Sequence, residues 1–242
     1  MALDFNSLHV VVTGGTGALG TAVVEQLVDQ GATCHIPCFS ESELAKFPYK
    51  SSDRVRIVAG VNLTDEQSTV DFYRQFGDTG GGPRLWASVH VAGGFAYAPI
   101  DTVTGQDFRA QWEMNVLTAF LCSREAVRAM RGQGGAGGRI VNTASRPGLV
   151  PALGANMTAY TSAKAAVCAL TESLAAEVAP EGIWVNAVAP SIMDTPANRA
   201  AMPKADYSTW PKVHEVARTI CFLASPMNQT TRGAVVSAYG RA

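Results

Sequence analysis

Tyr160 and Lys164 are the two residues of this chain whose types and spacing best suit acid–base chemistry. The stretch 159–179 is rich in Ala, Leu, Glu and Val and is followed by proline, which predicts a helix. On a helix, side chains four residues apart project from the same face. A free tyrosine keeps its proton to about pH 10, and a nearby ammonium group would lower that pKa. The pair could also be two unrelated side chains, so its meaning depends on the other motifs.

A glycine-rich turn near the N-terminus has the sequence context of a dinucleotide-binding site. Residues 8–12 are apolar and β-branched and predict a buried strand, whereas 21–30 have helical periodicity that ends at Gly31. Between them, 13–20 contain glycine at positions 14, 15, 17 and 20. Glycines let the backbone approach a pyrophosphate, and a helix N-terminus offers free N–H groups. A strand, a glycine turn and a helix in this order predict nucleotide binding.

Further motifs follow in an order that resembles the short-chain dehydrogenase/reductase family over nearly the whole chain. They are the turn at 13–20, His90-Val91-Ala92-Gly93, Asn115, Ser145, Tyr160 with Lys164, the segment 185–190, and Thr195-Pro196. The resemblance implies an enzyme that transfers a hydride between the nicotinamide of NAD or NADP and a carbonyl or alcohol carbon. Its substrate would be a small molecule.

The resemblance assigns catalytic roles to Asn115, Ser145, Tyr160 and Lys164. Tyr160 would be the acid in reduction and the base in oxidation, and Ser145 would donate a hydrogen bond to the substrate oxygen. Lys164 would lower the pKa of Tyr160 and hold the ribose hydroxyls of the cofactor. Asn115 would keep a water molecule in contact with Lys164 and so complete a path for the proton.

The resemblance also implies a set of cofactor contacts. They are Gly14, Thr16, Gly17, Ala18, Leu19, Gly20, Cys38, Ser40, Asn62, Leu63, Ala92, Gly93, Gly94, Asn115, Tyr160, Lys164, Pro190, Ile192 and Thr195. An acid at the end of the second strand favours NAD and an arginine just beyond it favours NADP, but Cys38 and Phe39 occupy these positions. Since an unpaired phosphate costs more than an unpaired hydroxyl, NAD is favoured over NADP, although Lys46 could still reach the phosphate site.

Three features depart from the usual family pattern. Ala18 stands where the commoner form of the turn has glycine. Ser145 and Tyr160 are fifteen residues apart, which is longer than usual and predicts an extra loop at 153–158. Ser191 replaces a glycine that is common after the sixth strand, and this could alter the backbone contact with the nicotinamide carboxamide.

Apolar runs alternate with helical stretches along the chain. Strands are predicted at 8–13, 33–38, 54–60, 84–91, 139–144, 183–189 and 234–238, and helices at 18–30, 65–76, 104–131, 157–179 and 212–224. Alternation implies an α/β fold with a Rossmann-like, doubly wound, mostly parallel seven-stranded sheet and helices on both faces. We expect one dinucleotide-binding and catalytic domain over 1–242, with the glycine-rich stretches 77–83 and 132–138 as surface loops.

The composition of the 242-residue chain suits this fold, with 47% apolar and 16% charged residues. The net charge of −1 gives no reason to expect binding to nucleic acid or to an anionic membrane. No apolar run is long enough to span a bilayer, and the N-terminus lacks the pattern of a secretion signal. The five cysteines are scattered without metal-site spacing, which predicts reduced thiols in a cytoplasmic protein without bound metal.

The segment 191–211 resembles the substrate lid of the family by its position. It contains three prolines, and its Met193, Met202, Tyr207 and Trp210 could line an apolar pocket or pack on the body of the domain. Relatives are often dimers or tetramers formed by the helices around 104–131 and 157–179. The many alanines of the second helix would permit close approach, so we expect a homodimer or homotetramer.

Some alternatives stay open on the sequence alone. Arg146 could bind an anionic substrate or lie on the surface, and His90 could contact the substrate or sit in the core. A non-catalytic nucleotide-binding regulator on the same fold is a second function, although such proteins commonly lose the tyrosine or the lysine. An isomerase or dehydratase that keeps its cofactor bound is a third, but it usually has a longer C-terminal part.

Overall fold

Short apolar segments form a single β-sheet in the computed structural model, which describes residues 3–77, 82–135 and 137–242. Successive side chains of a strand point to opposite faces, so a strand that is covered on both sides buries residues in both directions. Val10 and Val12 pack into the core on one face, and Val11 packs into the core on the other. The strands are β1 His9–Thr13, β2 Thr33–Cys38, β3 Val55–Ala59, β4 Leu85–His90, β5 Gly138–Thr143, β6 Ile183–Pro190 and β7 Val235–Ala238.

The topology is that of a doubly wound sheet. Within the described residues the strand order is β3-β2-β1-β4-β5-β6-β7, and every pairing is parallel. The predicted α/β, Rossmann-like, seven-stranded sheet is therefore confirmed, and each strand begins and ends within one residue of its predicted bounds. The strand order reverses between β1 and β4, where ligands bind in such sheets. The turns after β1 and β4 consequently lie side by side at the carboxyl edge.

Helices cover both faces of the sheet. One face carries α1 and α8, whose Leu27 and Ile220 are fully buried, and the other carries α2, α4 and α6, which bury Phe72, Met130 and Val178. The helices in the described residues are α1 Ala18–Asp29, α2 Glu66–Tyr73, α3 Gly105–Trp112, α4 Thr118–Arg131, α5 Arg146–Leu149, α6 Thr158–Val178, α7 Pro196–Ala201 and α8 Val213–Ala224.

The structure differs from the sequence prediction in two places that matter for the site. The predicted helix at 104–131 consists of α3 and α4 joined by a π-helical turn, Glu113–Leu117. A π turn contains one extra residue and changes which side chains face inward. The predicted loop at 153–158 is shorter in the structure, because Leu153 ends a 3₁₀ turn, Pro151–Leu153, and Thr158 begins α6, which leaves 154–157 as the connecting turn.

Some sequence predictions fall partly beyond the described residues. The glycine-rich stretches 77–83 and 132–138 are such cases, because 78–81 and 136 are outside the described ranges, as are residues 1 and 2. Among the helices of the described ranges, none combines the length and apolar character that crossing a membrane requires.

Candidate active site

The turn after β1 is packed so closely that two positions require glycine. Gly14 has a φ angle of +63°, and a Cβ atom there would lie 2.8 Å from the backbone nitrogen of Ala92. A Cβ atom on Gly20 would lie 2.0 Å from the carbonyl oxygen of Gly14. The turn is thus pressed against the residues that follow β4, and the Ala92 N–H donates to Thr13 Oγ1 at 3.2 Å.

Helix α1 begins in this turn without a side-chain cap. Gly17 is the N-cap residue, and Ala18, Leu19 and Gly20 form a first turn that contains no acidic side chain. The N–H groups of an uncapped first turn are available to an anion, and the helix dipole favours negative charge there. The residues present therefore fit the pyrophosphate of a dinucleotide.

A carboxylate reaches the glycine turn from an unexpected position. The thiol of Cys38, at the usual acid position, is buried and donates to the Ser40 carbonyl oxygen at 3.0 Å. Glu43 lies in the 3₁₀ helix that follows β2, and its carboxylate accepts from the Thr16 hydroxyl at 2.9 Å and from the Ser40 N–H at 3.2 Å. An acid is therefore present beside the turn, five residues after the strand end.

The pair Asn62 and Leu63 follows β3 at the same edge of the sheet. Asn62 Oδ1 accepts from the Thr64 N–H at 3.1 Å and from the Thr64 hydroxyl at 2.8 Å, which forms a local turn. The Asn62 side-chain amide nitrogen donates to no group in the described residues and remains available to a ligand. Leu63 packs partly against the core under α2 and α4.

Asn115 lies in the π turn and holds the loop after β4. Its Nδ2 donates to the carbonyl oxygens of Gly94 and Gln111 at 3.0 and 2.9 Å, and its Oδ1 accepts from the Gly94 N–H at 3.2 Å. A Cβ atom on Gly93 would lie 2.6 Å from Asn115 Oδ1 and 3.4 Å from Lys164 Nζ. Asn115 and Lys164 therefore converge on Gly93, in the loop that packs against the glycine turn.

Burial dominates the ionisation of the tyrosine and the lysine. Lys164 Nζ donates to the Thr143 carbonyl oxygen at 2.8 Å, and burial lowers the pKa of Lys164 to about 8. The same nitrogen lies 6.0 Å from the ring centroid of Tyr160. Burial raises the pKa of Tyr160, and the nearby Ser145 hydroxyl acts in the opposite direction. The expected lowering of this pKa by Lys164 is not met, because the ammonium group turns towards Thr143 while burial disfavours the phenolate.

The residues after β6 are tied to the end of β7. Pro190 ends β6, and the hydroxyl of the next residue, Ser191, donates to the Tyr239 carbonyl oxygen at 2.9 Å. The side chain of Ile192 is exposed, and the Thr195 hydroxyl caps α7. These residues lie at the carboxyl edge of the sheet, on the same side as the polar cluster around Tyr160.

Comparisons with known proteins agree with this arrangement. The model of the short chain dehydrogenase family matches residues 8–206. The chain belongs to this family. Galactitol 2-dehydrogenase of Rhizobium johnstonii is 31% identical in an alignment of 239 positions that covers 95% of this chain and 92% of that protein. Cis-4-hydroxycyclohexanecarboxylate dehydrogenase of Sinomonas cyclohexanicum is 32% identical, over 99% of this chain and 98% of that protein.

A solved structure of the family extends the likeness to the whole fold. ElxO with NADP bound has a TM-score of 0.85 and 25% identity, over 96% of this chain and 97% of that one. Together with the named dehydrogenases, this makes the chain an NAD(P)-dependent oxidoreductase that acts on a hydroxyl or keto group.

This short-chain dehydrogenase has residues beside the site that the sequence analysis did not single out. Glu43 is one, and Phe95 is another, since its ring lies edge-on to Tyr160 with 5.0 Å between centroids. Tyr97 follows, and its hydroxyl accepts from Asn156 Nδ2 at 3.0 Å. Phe95 and Tyr97 are both exposed. Their only sequence signal is two aromatic residues directly after a glycine pair, in a stretch without helix or strand periodicity.

The structure of this family member also locates His90 and Arg146. His90 is 3% exposed, and its ring nitrogens lie 2.8 Å from Ser88 Oγ and 2.8 Å from Asn142 Oδ1. It is therefore part of the core. Arg146 is half-buried next to Ser145, with its guanidinium carbon 4.8 Å from the ring centroid of Tyr239.

Proposed function

We propose that residues 1–242 act as a single dinucleotide-binding and catalytic domain that interconverts an alcohol and a carbonyl compound, with Tyr160 as the acid and base. The observation that carries this proposal is the convergence of Asn115 and Lys164 on Gly93, next to the glycine turn, at the edge of the sheet where Ser145 follows β5 and Tyr160 lies in the first turn of α6. When bound, the nicotinamide would accept the hydride in oxidation and supply it in reduction, while the protein takes up the proton in oxidation and supplies it in reduction.

Each of the four polar residues has a separate role in this proposal. The Tyr160 hydroxyl gives a proton to the carbonyl oxygen or takes one from the alcohol, and Ser145 donates a hydrogen bond to the same oxygen. Lys164 places a positive charge near this oxygen and, with its two remaining N–H groups, can donate to the cofactor ribose. Asn115 keeps the loop at Gly94 in place and presents its carbonyl oxygen towards Lys164.

The ionisation of Tyr160 gives the proposal a pH dependence. Because burial raises its pKa, the phenol is protonated at neutral pH and is ready to act as an acid. Alcohol oxidation needs the deprotonated form, so its kcat/KM should rise by up to about tenfold per pH unit between pH 6 and pH 8. Carbonyl reduction should be nearly constant over this range.

Turnover tests the catalytic assignment. We suggest a panel of galactitol, cyclohexanol, cis-4-hydroxycyclohexanecarboxylate and the corresponding ketones, followed by absorbance of the reduced nicotinamide. Tyr160→Phe should lower kcat at least about a thousandfold and leave cofactor affinity within threefold, because only the proton donor is lost. Tyr49→Phe, which alters a tyrosine packed against the core beside α1, is the matched control.

Two outcomes would overturn this assignment. Equal turnover by the wild type and Tyr160→Phe would remove the tyrosine from the mechanism. Tight cofactor binding without turnover on a broad panel would favour the second candidate, a non-catalytic nucleotide-binding regulator on the same fold.

We propose that NAD is preferred over NADP and that Glu43 enforces the preference. Its carboxylate touches Thr16 in the glycine turn, where it can accept from a ribose hydroxyl but repels a 2′-phosphate. Lys46 is exposed at the far end of the same 3₁₀ helix and forms no hydrogen bond with the turn in the described residues. These contacts support the preference that the sequence suggests.

The ratio of kcat/KM for NAD to that for NADP measures this preference. Glu43→Gln keeps the hydrogen bonds and removes the charge, so the ratio should fall roughly five- to tenfold, mainly through a lower KM for NADP. Glu41→Gln alters an exposed carboxylate of the same 3₁₀ helix without a contact to Thr16 and should leave the ratio unchanged. A wild type that prefers NADP would contradict the proposal.

We further propose that 191–211 forms the substrate lid and that the protein is a cytoplasmic homodimer or homotetramer. Buried free thiols at all five cysteines support a reducing compartment. Exposed Phe108, Trp112 and Phe120 on α3 and α4 support subunit contacts through these helices. Light scattering after size exclusion should give a mass that is a multiple of the monomer mass. Trp112→Glu should lower this measured mass, whereas Phe222→Glu, on α8, should leave it unchanged.

A further inference from the structure

Arg146 lies at the carboxyl edge of the sheet, next to Ser145 and two strands away from the glycine turn after β1, in the order β1-β4-β5. It follows Ser145 directly, beyond the carboxyl end of β5, and its guanidinium group lies over the ring of Tyr239, beyond the carboxyl end of β7. Strand β6 lies between these two strands. The guanidinium therefore spans the carboxyl end of β6. It lies on the side of the sheet away from the glycine turn after β1, and it is next to residue 191, where the proposed lid begins.

The backbone that carries this ring is tied down by hydrogen bonds. Ser191 binds the backbone on both sides of the end of β7, since its N–H donates to the Ala238 carbonyl oxygen at 3.3 Å and its hydroxyl donates to the Tyr239 carbonyl oxygen at 2.9 Å. The Ala242 N–H also donates to Tyr239 at 3.2 Å. An aromatic face attracts a guanidinium without accepting N–H···O hydrogen bonds from it, so its donors stay available to a ligand.

Arg146 differs from the other arginines of the described residues because it is half-buried and also lacks an acceptor. Within the described residues, no carboxylate or carbonyl oxygen accepts a hydrogen bond from its guanidinium, although the side chain is half-buried. The remaining arginines without an acceptor in these residues are all exposed: Arg109, Arg218, Arg232 and Arg241. The acid of the adjacent lid, Asp194, is already bound by Arg199 and Lys212. A half-buried cation without an anion indicates that its partner is a ligand.

We propose that Arg146 binds a carboxylate on the substrate, so that the enzyme acts on hydroxy or keto acids. This inference rests on the proposed function, because the proposed function places the reacting oxygen of the substrate at Ser145 and Tyr160. Since Ser145 and Arg146 are adjacent, one molecule can place its oxygen on the serine hydroxyl and its carboxylate on the guanidinium. The planar fork of arginine matches a carboxylate with two parallel hydrogen bonds. A single cation favours this monoanion over a dianionic phosphate.

A matched pair of substrates tests the inference. The probes are 4-oxocyclohexanecarboxylate and its methyl ester, which differ in charge while the reacting carbonyl is the same. The wild type should prefer the acid, and Arg146→Gln should lower the ratio of kcat/KM for acid to ester at least about thirtyfold, mainly through the KM of the acid. Arg146→Lys, which keeps the charge without the fork, should retain part of the preference. Arg232→Gln, before β7 at the opposite edge of the sheet, is the control.

A binding measurement separates this inference from the catalytic proposal. Calorimetric titration of the NAD⁺-loaded protein with cyclohexanecarboxylate should give heat of binding that cyclohexanecarboxamide does not, and Arg146→Gln should abolish it. Turnover without preference for the acid, or with equal losses for acid and ester in Arg146→Gln, would overturn the inference while the proposed function stands. Binding of the acid through Arg146 without any turnover would support the inference while the catalytic proposal fails. Equal binding of cyclohexanecarboxylate and cyclohexanecarboxamide would overturn the inference about Arg146.

Discussion

Among single residues, Gly93 has the closest connection to the proposed chemistry. It lies in the loop that packs against the glycine turn, and the side chains of Asn115 and Lys164 approach the place where a Cβ atom would stand. The Asn115 side chain cannot move away without breaking hydrogen bonds, because it is bonded to both the N–H and the carbonyl oxygen of Gly94. A methyl group at Gly93 must therefore displace the amide or the ammonium group.

Gly93→Ala should lower kcat by about ten- to hundredfold, because it misplaces the groups around Lys164. The melting temperature should fall as well, because the displaced Asn115 amide is buried and hydrogen bonded to Gly94 and Gln111. Gly105→Ala is the matched control, as its Cβ atom would meet only Arg109 Nη1 at 3.6 Å, which is an ordinary contact. Full activity of Gly93→Ala would show that the observed placement of Asn115 is dispensable.

Among the elements, the segment 191–211, the proposed lid, contains more regular structure than its sequence suggests. It contains α7 and a 3₁₀ turn, and Met193 and Trp210 pack on the body of the protein. Its two ends meet at Asp194, whose carboxylate receives two hydrogen bonds from Arg199, at 2.5 and 2.9 Å, and is paired with Lys212. These partners hold the pKa of Asp194 well below its usual range, so the ion pairs should persist in mild acid.

Asp194→Asn should loosen the lid, because the amide cannot pair with two cations. We expect the substrate KM to rise about fivefold or more with a smaller change in kcat, and chymotrypsin to cleave faster near Tyr207. Asp71→Asn, which removes an exposed ion pair with Arg74 on α2, should alter neither quantity. Unchanged proteolysis and unchanged KM would mean that the clamp does not control the lid.

At the scale of the whole molecule, a buried chain of polar groups crosses β4 and β5 on the face of the sheet that α2 and α6 cover. Tyr73 contacts Ser88 at 2.7 Å, Ser88 contacts His90, His90 contacts Asn142, and the Asn142 side-chain amide donates to Thr171 on α6 at 3.0 Å. One neutral tautomer of His90 satisfies both neighbours, with one ring nitrogen donating and the other accepting. Burial lowers the pKa of His90 to about 4.

Stability should therefore fall as the solution becomes acidic. Below the ordinary histidine pKa of 6.5 the unfolded chain binds a proton at His90, whereas the folded chain does so only near pH 4. The free energy of unfolding should thus drop by about 2 kcal/mol between pH 7 and pH 5 from this residue, and level off below pH 4. Urea unfolding at several pH values measures this change in the free energy of unfolding. His35, whose pKa is also lowered to about 4, contributes in the same direction.

Comparison of variants isolates the contribution of His90. His90→Asn should reduce the pH dependence by about the same 2 kcal/mol, whatever its effect on stability at neutral pH. His214→Asn, at an exposed position of α8, should leave the slope unchanged. A wild-type slope that persists in His90→Asn would contradict the assignment.

Local patterns in the sequence determined the framework of this protein. The apolar runs and helical periods located every strand to within one residue, since burial on both faces requires them, and the glycines at 14 and 20 marked the turn because a side chain would clash there. Asn115, Ser145, Tyr160 and Lys164 were found by family resemblance, and their chemical roles stay predictions. The family, the fold class and the NAD(P)-dependent oxidoreductase activity are confirmed.

Only the tertiary structure decided how distant residues meet and what burial does to them. Glu43 reaches Thr16 across 27 positions, and Arg146 lies over Tyr239 at the far end of the chain. The π turn that orients Asn115 is not visible in the sequence, because the pattern of 104–131 predicts one continuous helix. The pKa of Tyr160 moves upward rather than downward because desolvation depends on everything packed around a group, which spacing along one helix cannot reveal.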